Sequence, residues 1–137
     1  MNSHRMHPLV WAASVALLLC GCASLRPGAA QHGPLTARVV RISDEYANIN
    51  TNLDAKGLAT AGIVQGSTFR AHFGSQSIEV FYGEDYGDVA RGEWVGLIDE
   101  GALQIAISFG NAATVLDCAV GDEFLIVPIA SVSTRQQ

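Results

Sequence analysis

Basic residues are scarce in this sequence, and acidic residues outnumber them. The 137 residues include 8 Lys and Arg against 13 Asp and Glu, which gives a formal net charge of −5 at pH 7. This charge argues against a nucleic-acid partner, because phosphate groups repel an acidic surface. Histidines are also few, at positions 4, 7, 32 and 72, and their spacing matches no set of metal ligands. We therefore expect neither nucleic acid nor a metal ion among its partners.

The common signatures of catalysis and nucleotide binding are missing as well. The sequence has no G-x-S-x-G elbow, no P-loop and no G-x-G-x-x-G motif. Three carboxylates lie close together at Glu84, Asp85 and Asp88, but calcium prefers about six to eight oxygen ligands at tighter spacing. We interpret this group as a solvated loop and assign no catalytic residue.

The N-terminal segment has the pattern of a secretory signal. Its apolar run, residues 8–19, has twelve residues, whereas a membrane-spanning helix needs about 20. The run follows a polar segment that contains Arg5 and precedes the stretch LCGC, as is typical of a signal peptide. LCGC resembles the lipobox of bacterial lipoproteins, with cleavage after Gly21 and Cys22 as the lipidated N-terminus. We therefore predict a signal peptide over residues 1–21.

The predicted lipid anchor determines the expected cellular location. Two acyl chains on Cys22, such as palmitate, would hold the exported chain far more durably than one. Ala23 after the cysteine, in place of Asp, is typical of outer-membrane lipoproteins, so we expect the chain to face the periplasm. An uncleaved N-terminal anchor is the alternative, and it places the remainder on the same side of the membrane.

Cysteine usage leaves no disulfide. Of the three cysteines, Cys20 would leave with the signal and Cys22 would be lipidated, so Cys118 remains alone. It lies among small apolar residues, where a free cysteine usually serves as a small core side chain. A reactive thiol is the alternative.

The segment after the anchor divides into a tether, a folded domain and a tail. Residues 22–34 are rich in Pro, Gly and Ala without periodicity, which predicts a flexible tether. Strand patterns fill residues 35–130, and residues 131–137 are predicted to be a disordered tail. The strand candidates are LTARVVRIS, STFRAHFG, QSIEVFYG, EWVGLID, ALQIAISFG and DEFLIVPIA.

The connections between these strands indicate the architecture. Gly74 and Ser75 join two alternating runs into a hairpin, and a helical turn is expected only after Asn111. Short strands with glycine-rich turns and no long helical pattern predict an all-β domain, a small antiparallel β-barrel. Closure also removes strand edges, which otherwise promote aggregation.

Four stretches of this domain resemble, in order and spacing, the C-terminal domain of the S-adenosyl-L-methionine (SAM) hydroxide adenosyltransferases, the family of the SAM hydrolases, fluorinase and chlorinase. SDEYANINTNL, from residue 43, is similar to I-D-x-F-G-N-x-x-T-N-I, and EGALQIAISFGNAA, from residue 100, to S-G-Y-L-E-I-A-V-x-x-G-x-A-A. YGDVARGE and VGDEFLIV resemble T-Y-x-D-V-x-x-G-E and x-G-D-x-V-x-I. The resemblance covers about residues 36–127 and implies a small antiparallel β-barrel.

The resemblance also implies a binding site. In the family the barrel holds the adenine and part of the methionine of SAM, so Asn48 would bond the adenine edge and Tyr86 would stack on the ring. The backbone near Ala112 would complete the base contacts, and Tyr46 would line the pocket. An amide both donates and accepts, and stacking contributes about 1–3 kcal/mol per base. SAM or adenosine is the candidate ligand, with no resident cofactor. Alternatively, these residues serve only turn formation and packing.

Two departures from the family pattern bear on the ligand. Asp99 and Glu100 stand where the family has Ser, or a Ser-Arg pair, facing the amino-acid end of the substrate. Carboxylates there would pair with an ammonium group and repel a carboxylate. Ala47 replaces a glycine beside the proposed adenine contact. We therefore expect the family's way of binding SAM to be altered.

Three functions are compatible with this sequence. The first is a lipid-anchored, non-catalytic module that binds a nucleoside-like ligand or an envelope protein, since the residues before Leu35 leave no room for the family's catalytic N-terminal domain. The second is the barrel subunit of a split SAM hydrolase, which a separate catalytic chain would complete. The third is a structural envelope lipoprotein. The resemblance also suggests a homotrimer.

Overall fold

Seven β-strands close on one another in the computed structural model, which describes residues 32–130. Around the barrel the strands follow the order β1-β2-β6-β5-β4-β3-β7, and β7 pairs with β1. The predicted all-β barrel is confirmed. The strands are β1 Leu35–Ile42, β2 Ile49–Asp54, β3 Thr68–Phe73, β4 Gln76–Tyr82, β5 Trp94–Asp99, β6 Ala102–Ile107 and β7 Glu123–Pro128.

One strand pair differs from the antiparallel expectation. β4 and β5 run parallel, with Phe81 opposite Val95 and Tyr82 opposite Gly96, whereas the other pairs around the barrel are antiparallel. A parallel pair needs a crossover of roughly a dozen residues, and residues 83–93 supply it. The crossover contains a short 3₁₀ helix, Tyr86–Asp88, whose first turn is capped by the Asp85 side chain.

Two short helices complete the described chain. α2, Ala112–Leu116, confirms the helical turn expected after Asn111. α1, Ala55–Thr60, was not predicted, and it begins where the Asp54 carboxylate accepts a hydrogen bond from the Gly57 amide at 2.7 Å. A side-chain oxygen at this position satisfies an otherwise unpaired amide of the first turn. No helix within residues 32–130 is long and apolar enough to cross a membrane.

The core lies inside the barrel, filled by alternate residues of the strands. In β1, for example, Ala37 and Val39 are buried while Arg38 and Val40 face outward, as expected for the two-residue period of a strand. The rings of Phe73 and Phe124 stack at 4.9 Å. Further fully buried core residues are Ile49, Leu58, Phe69, Ala71, Val80, Leu103, Ile105 and Ile126.

The remaining cysteine of the folded domain also contacts this core. Cys118 is partly buried and packs against the core cluster, in agreement with the expected packing role. Burial raises the pKa of its thiol, and the nearby Asp122 raises it further, so less thiolate is present at neutral pH. The predicted signal peptide of residues 1–21, the lipidated Cys22, residues 22–31 of the tether and the tail of residues 131–137 lie outside the described residues.

Because Leu58 is buried in the core, we expect α1 to contribute to the stability of the barrel. We expect Leu58→Ala to lower the free energy of unfolding by about 2–5 kcal/mol, because it leaves a cavity in the core. Urea unfolding followed by circular dichroism would measure the change. Lys56→Ala, on the exposed side of the same helix, is the control and should change stability by less than about 0.5 kcal/mol. Equal effects of the two substitutions would contradict this account of α1.

Candidate functional site

A groove of about 400 Å³ opens where three connecting segments of the barrel meet. The β1–β2 turn contributes Tyr46 and Asn48, and the crossover after β4 contributes Tyr86. The end of β6 and the turn that follows it contribute Ile107, Phe109 and Gly110. The structure therefore brings Tyr46 and Asn48, which are neighbours in the sequence, together with Tyr86, 38 residues after Asn48.

Aromatic rings form much of the groove wall. Tyr46, Tyr86 and Phe109 are 56%, 42% and 79% exposed, respectively, so their faces are available to a ligand. Phe109 has a φ of +58°, a left-handed conformation that bulky residues rarely adopt. The Arg91 guanidinium lies 4.1 Å from the centre of the Phe109 ring and makes a cation–π contact with it. Strained residues of this kind cluster at functional sites.

A buried amide forms the polar floor of the groove. Asn48 is only 4% exposed, and its Nδ2 donates to the Tyr86 hydroxyl at 3.1 Å and to Gln104 Oε1 at 3.4 Å. The Tyr86 hydroxyl in turn donates to Gln104 Oε1 at 2.5 Å. Burial raises the pKa of the Tyr86 hydroxyl, and the charge of Asp99 raises it further, so this group remains a donor at neutral pH.

The hydrogen bonds continue behind the floor into the barrel wall. Gln104, 3% exposed, donates from Nε2 to Asn50 Oδ1 at 3.0 Å and to Asp99 Oδ2 at 3.1 Å. Asn50 donates to the Ser43 hydroxyl at 3.2 Å. Every fully enclosed side-chain nitrogen and oxygen in residues 32–130 has a hydrogen-bond partner. Pairing of the enclosed groups in this way gives the floor a defined geometry.

The two carboxylates at 99 and 100 lie where β5 ends, Asp99 as its last residue and Glu100 as the first residue of the turn to β6. Glu100 and Gly101 have φ values of +49° and +84°, as a two-residue hairpin turn of this type requires. Arg41 Nη2 lies 3.3 Å from Glu100 Oε2 and 3.9 Å from Asp99 Oδ2. These side chains are about half exposed or more, so solvent weakens the ion pairs. Asp99 reaches the groove floor through Gln104, whereas Glu100 contacts only Arg41 among these polar groups.

Ala112 does not line the groove. It is fully buried as the first residue of α2. The amide of the next residue, Ala113, donates to the Ala47 carbonyl at 2.9 Å and holds α2 against the turn that contains Asn48. A backbone contact from this segment to a ligand stays a prediction.

Two residues of the site were not found from the sequence. Gln104 carries a recognisable signal, since it is the polar member of the apolar stretch ALQIAI, yet the strand pattern alone did not assign it a role. The stretch ALQIAISFG predicts a strand that includes Phe109, but β6 ends at Ile107. The exposure of Phe109 follows from the left-handed turn, which no periodicity reveals.

The described residues thus form a small closed β-barrel with an aromatic-walled groove whose floor is a buried amide. The family model of the SAM hydroxide adenosyltransferase C-terminal domain matches residues 38–125. The chain therefore belongs to the SAM hydroxide adenosyltransferase C-terminal domain family, and the resemblance seen in its four sequence stretches is confirmed.

A solved structure agrees with this assignment. An uncharacterized conserved protein from Thermotoga maritima is 27% identical, with a TM-score of 0.63 over 69% of this chain and 36% of that chain. A conserved hypothetical protein from Thermus thermophilus is 21% identical, with a TM-score of 0.48 over 74% of this chain and 38% of that chain. The chain thus spans a little over a third of the length of each. No curated protein matches it.

The backbone conformation at Ala47 explains why the family pattern has glycine at this position. Ala47 has a φ of +49°, a conformation in which a side chain costs roughly 1–2 kcal/mol, and the pattern has glycine there. We expect Ala47→Gly to raise the free energy of unfolding by up to about 1 kcal/mol, since the relieved strain exceeds the added chain entropy of glycine. Ala59→Gly, in the exposed part of α1, should lower it by about 0.5–1 kcal/mol. Thermal unfolding measures both, and changes of the same sign would contradict the prediction.

Proposed function

We propose that this chain is an exported, lipid-anchored protein whose barrel binds a nucleoside-like ligand in the groove without converting it. The observation that carries the proposal is the combination of Tyr46, Tyr86 and Phe109 around a buried amide, Asn48. The partners would be the membrane, through Cys22, and a small planar molecule.

The groove has the size and lining of a small-molecule site. Its volume of about 400 Å³ lies within the range of roughly 300–1,000 Å³ typical of such sites. Exposed aromatic faces on a rigid barrel favour a flat ligand, because stacking buries both ring faces at little entropic cost. The family resemblance adds that the Asn48 position contacts adenine.

The charges around Asp99, at one end of the groove floor, disfavour a phosphate group there, whereas the positive charge of Arg91 lies against Phe109 on the groove wall. Asp99 and Glu100 together carry two negative charges against one positive charge on Arg41. A phosphate group at this end would meet a net negative field. The same field opposes the carboxylate of SAM, so adenosine is the first ligand to test and SAM the second.

The residues around the groove support binding rather than chemistry. Tyr46, Tyr86 and Phe109 offer ring faces, and Asn48 and Gln104 offer amides, which hydrogen bond without exchanging protons near neutral pH. We therefore infer that the barrel orients a ligand and does not by itself activate water.

A second candidate is the barrel subunit of a split SAM hydrolase, which converts SAM and water to adenosine and methionine. The observation in its favour is the open rim of the groove, where Phe109 and Tyr46 remain exposed and another chain has room to close over a ligand. The chain that closes over the ligand would be a separate catalytic protein. A purely structural envelope lipoprotein would instead bind no ligand.

Ligand binding can be tested on the full-length chain in detergent by calorimetry with adenosine and then SAM. We expect adenosine to bind, and Tyr86→Ala to weaken it about 10- to 100-fold through lost stacking. Phe109→Asn should also weaken binding while keeping the fold, because asparagine tolerates the left-handed conformation.

Val120→Asn is the matched control for Phe109→Asn. Val120 is 62% exposed but lies outside the groove, so this variant should bind adenosine as the wild type does. Binding of neither ligand by the wild type would reject the proposal and favour the structural lipoprotein. Release of methionine and adenosine from SAM only in the presence of a second chain would support the split hydrolase.

The lipid anchor is tested separately. We expect the chain, expressed in a Gram-negative bacterium, to incorporate labelled palmitate and to enter the detergent phase on phase partitioning. Cys22→Ser should abolish both, because it removes the thiol that carries the acyl chains. Cys20→Ser is the control and should retain both. Equal labelling of the wild type and Cys22→Ser would contradict the lipoprotein assignment.

A further inference from the structure

We propose that Gln104 is a positioning residue that sets the direction of hydrogen bonding across the groove floor. Its orientation makes the groove present an acceptor, and so select a planar ligand whose edge donates a hydrogen bond. The inference rests on the proposed function, in which a nucleobase-like ligand occupies this groove.

The orientation of the Gln104 amide follows from Asp99. A carboxylate at neutral pH only accepts hydrogen bonds, and Asp99 Oδ2 lies 3.1 Å from one end of that amide. This end must be the amino group, Nε2, which also donates to Asn50 Oδ1 at 3.0 Å. The carbonyl oxygen of Gln104 therefore points toward Tyr86 and Asn48.

The orientation of Asn48 follows in turn. Gln104 Oε1 accepts from the Tyr86 hydroxyl, which leaves the lone pairs of that hydroxyl to accept. The end of Asn48 that faces both oxygens must be its amino group, at 3.1 Å from Tyr86 Oη and 3.4 Å from Gln104 Oε1. Both N–H groups of Asn48 are thereby used.

The remaining polar atom of Asn48 is left for a ligand. Asn48 Oδ1 makes no hydrogen bond with residues 32–130, although no fully enclosed side-chain oxygen in this part of the chain lacks a partner. This oxygen is therefore not fully enclosed, and since Asn48 lines the groove, we infer that a ligand in the groove can reach it. The side chain as a whole is 96% buried, so an acceptor of fixed direction stands at the floor of an apolar-walled groove.

A fixed acceptor discriminates between ligands of equal shape. The amino group of adenosine donates to Asn48 Oδ1. Inosine carries an oxygen at the same position, so two acceptors would face each other without a hydrogen bond. Leaving a buried polar group unpaired costs more than a typical hydrogen bond contributes, so we expect adenosine to bind roughly 10- to 100-fold more tightly than inosine.

The family pattern helps to explain why glutamine stands here. The pattern has Glu at the position of Gln104, and a glutamate would accept from Tyr86 and Asn48 equally well. It would not donate to Asp99, however, and two carboxylates at that distance repel each other. Gln104 and Asp99 thus form one unit, through which Asp99 influences the ligand without touching it.

The test compares adenosine and inosine binding by calorimetry on the full-length chain in detergent. Gln104→Met removes the amide and should reduce the preference for adenosine to a few-fold, because Asn48 is then free to turn. Gln104→Glu keeps the acceptor and should retain the preference. A residue that only packs would weaken both ligands together and leave their ratio unchanged.

A second pair of variants replaces a carboxylate by an amide of the same shape. Asp99→Asn is isosteric and removes one of the two acceptors, Asp99 Oδ2 and Asn50 Oδ1, that hold the Gln104 amino group, so we expect it to reduce the preference by less than Gln104→Met does. Glu100→Gln removes the same charge beside Arg41 but has no bond to Gln104, and it should keep the preference. An unchanged ratio in both Gln104→Met and Asp99→Asn would overturn the proposal.

One readout needs no ligand. In the wild type, nuclear magnetic resonance should show slow exchange of both side-chain amide protons of Asn48, and Gln104→Met should make this exchange faster. If the wild type binds neither nucleoside, the proposed function fails, and a protected Asn48 amide still supports the positioning role. If nucleosides bind while the Asn48 amide exchanges rapidly in the wild type, the positioning role alone fails.

Discussion

The hydrogen bonds of one buried amide, Gln104, connect the polar groups beneath the groove. They reach Asn50 and Asp99 on one side and Asn48 and Tyr86 on the other, and so join β2, β5, β6 and the crossover after β4. Asn48, Asn50 and Gln104 are buried, and each would destabilise the fold if it were left unpaired in that low-dielectric interior. The groove therefore inherits its shape and its polarity from a network that the barrel must complete in order to fold.

Strain and exposure distinguish the rim of the groove from this floor. Phe109 has a left-handed conformation and a largely exposed ring. Both features lower the stability of the domain. Arg91 offsets part of the cost through its cation–π contact. In the proposed function, this rim is the part of the domain that contacts the ligand.

Local sequence patterns predicted most of the fold but only part of the candidate site. Alternating runs and glycine turns indicated the strands, and the resemblance placed Tyr46, Asn48 and Tyr86 in one pocket, where the structure also has them. The sequence did not predict that Gln104 and Phe109 belong to the site, because their roles depend on residues in other strands and loops. α1 was missed because a six-residue helix offers less than two turns of periodicity.

The sequence alone determined the all-β class, the positions of most strands and the family, since these depend on residue alternation and on motifs read along the chain. The tertiary structure decided the parallel pairing of β4 with β5, the meeting of Tyr86 with Asn48, and the direction of every hydrogen bond in the floor. Those features depend on which groups face each other after the barrel closes. A carboxylate such as Asp99 can impose a direction on an amide only when the fold brings the two within hydrogen-bond distance.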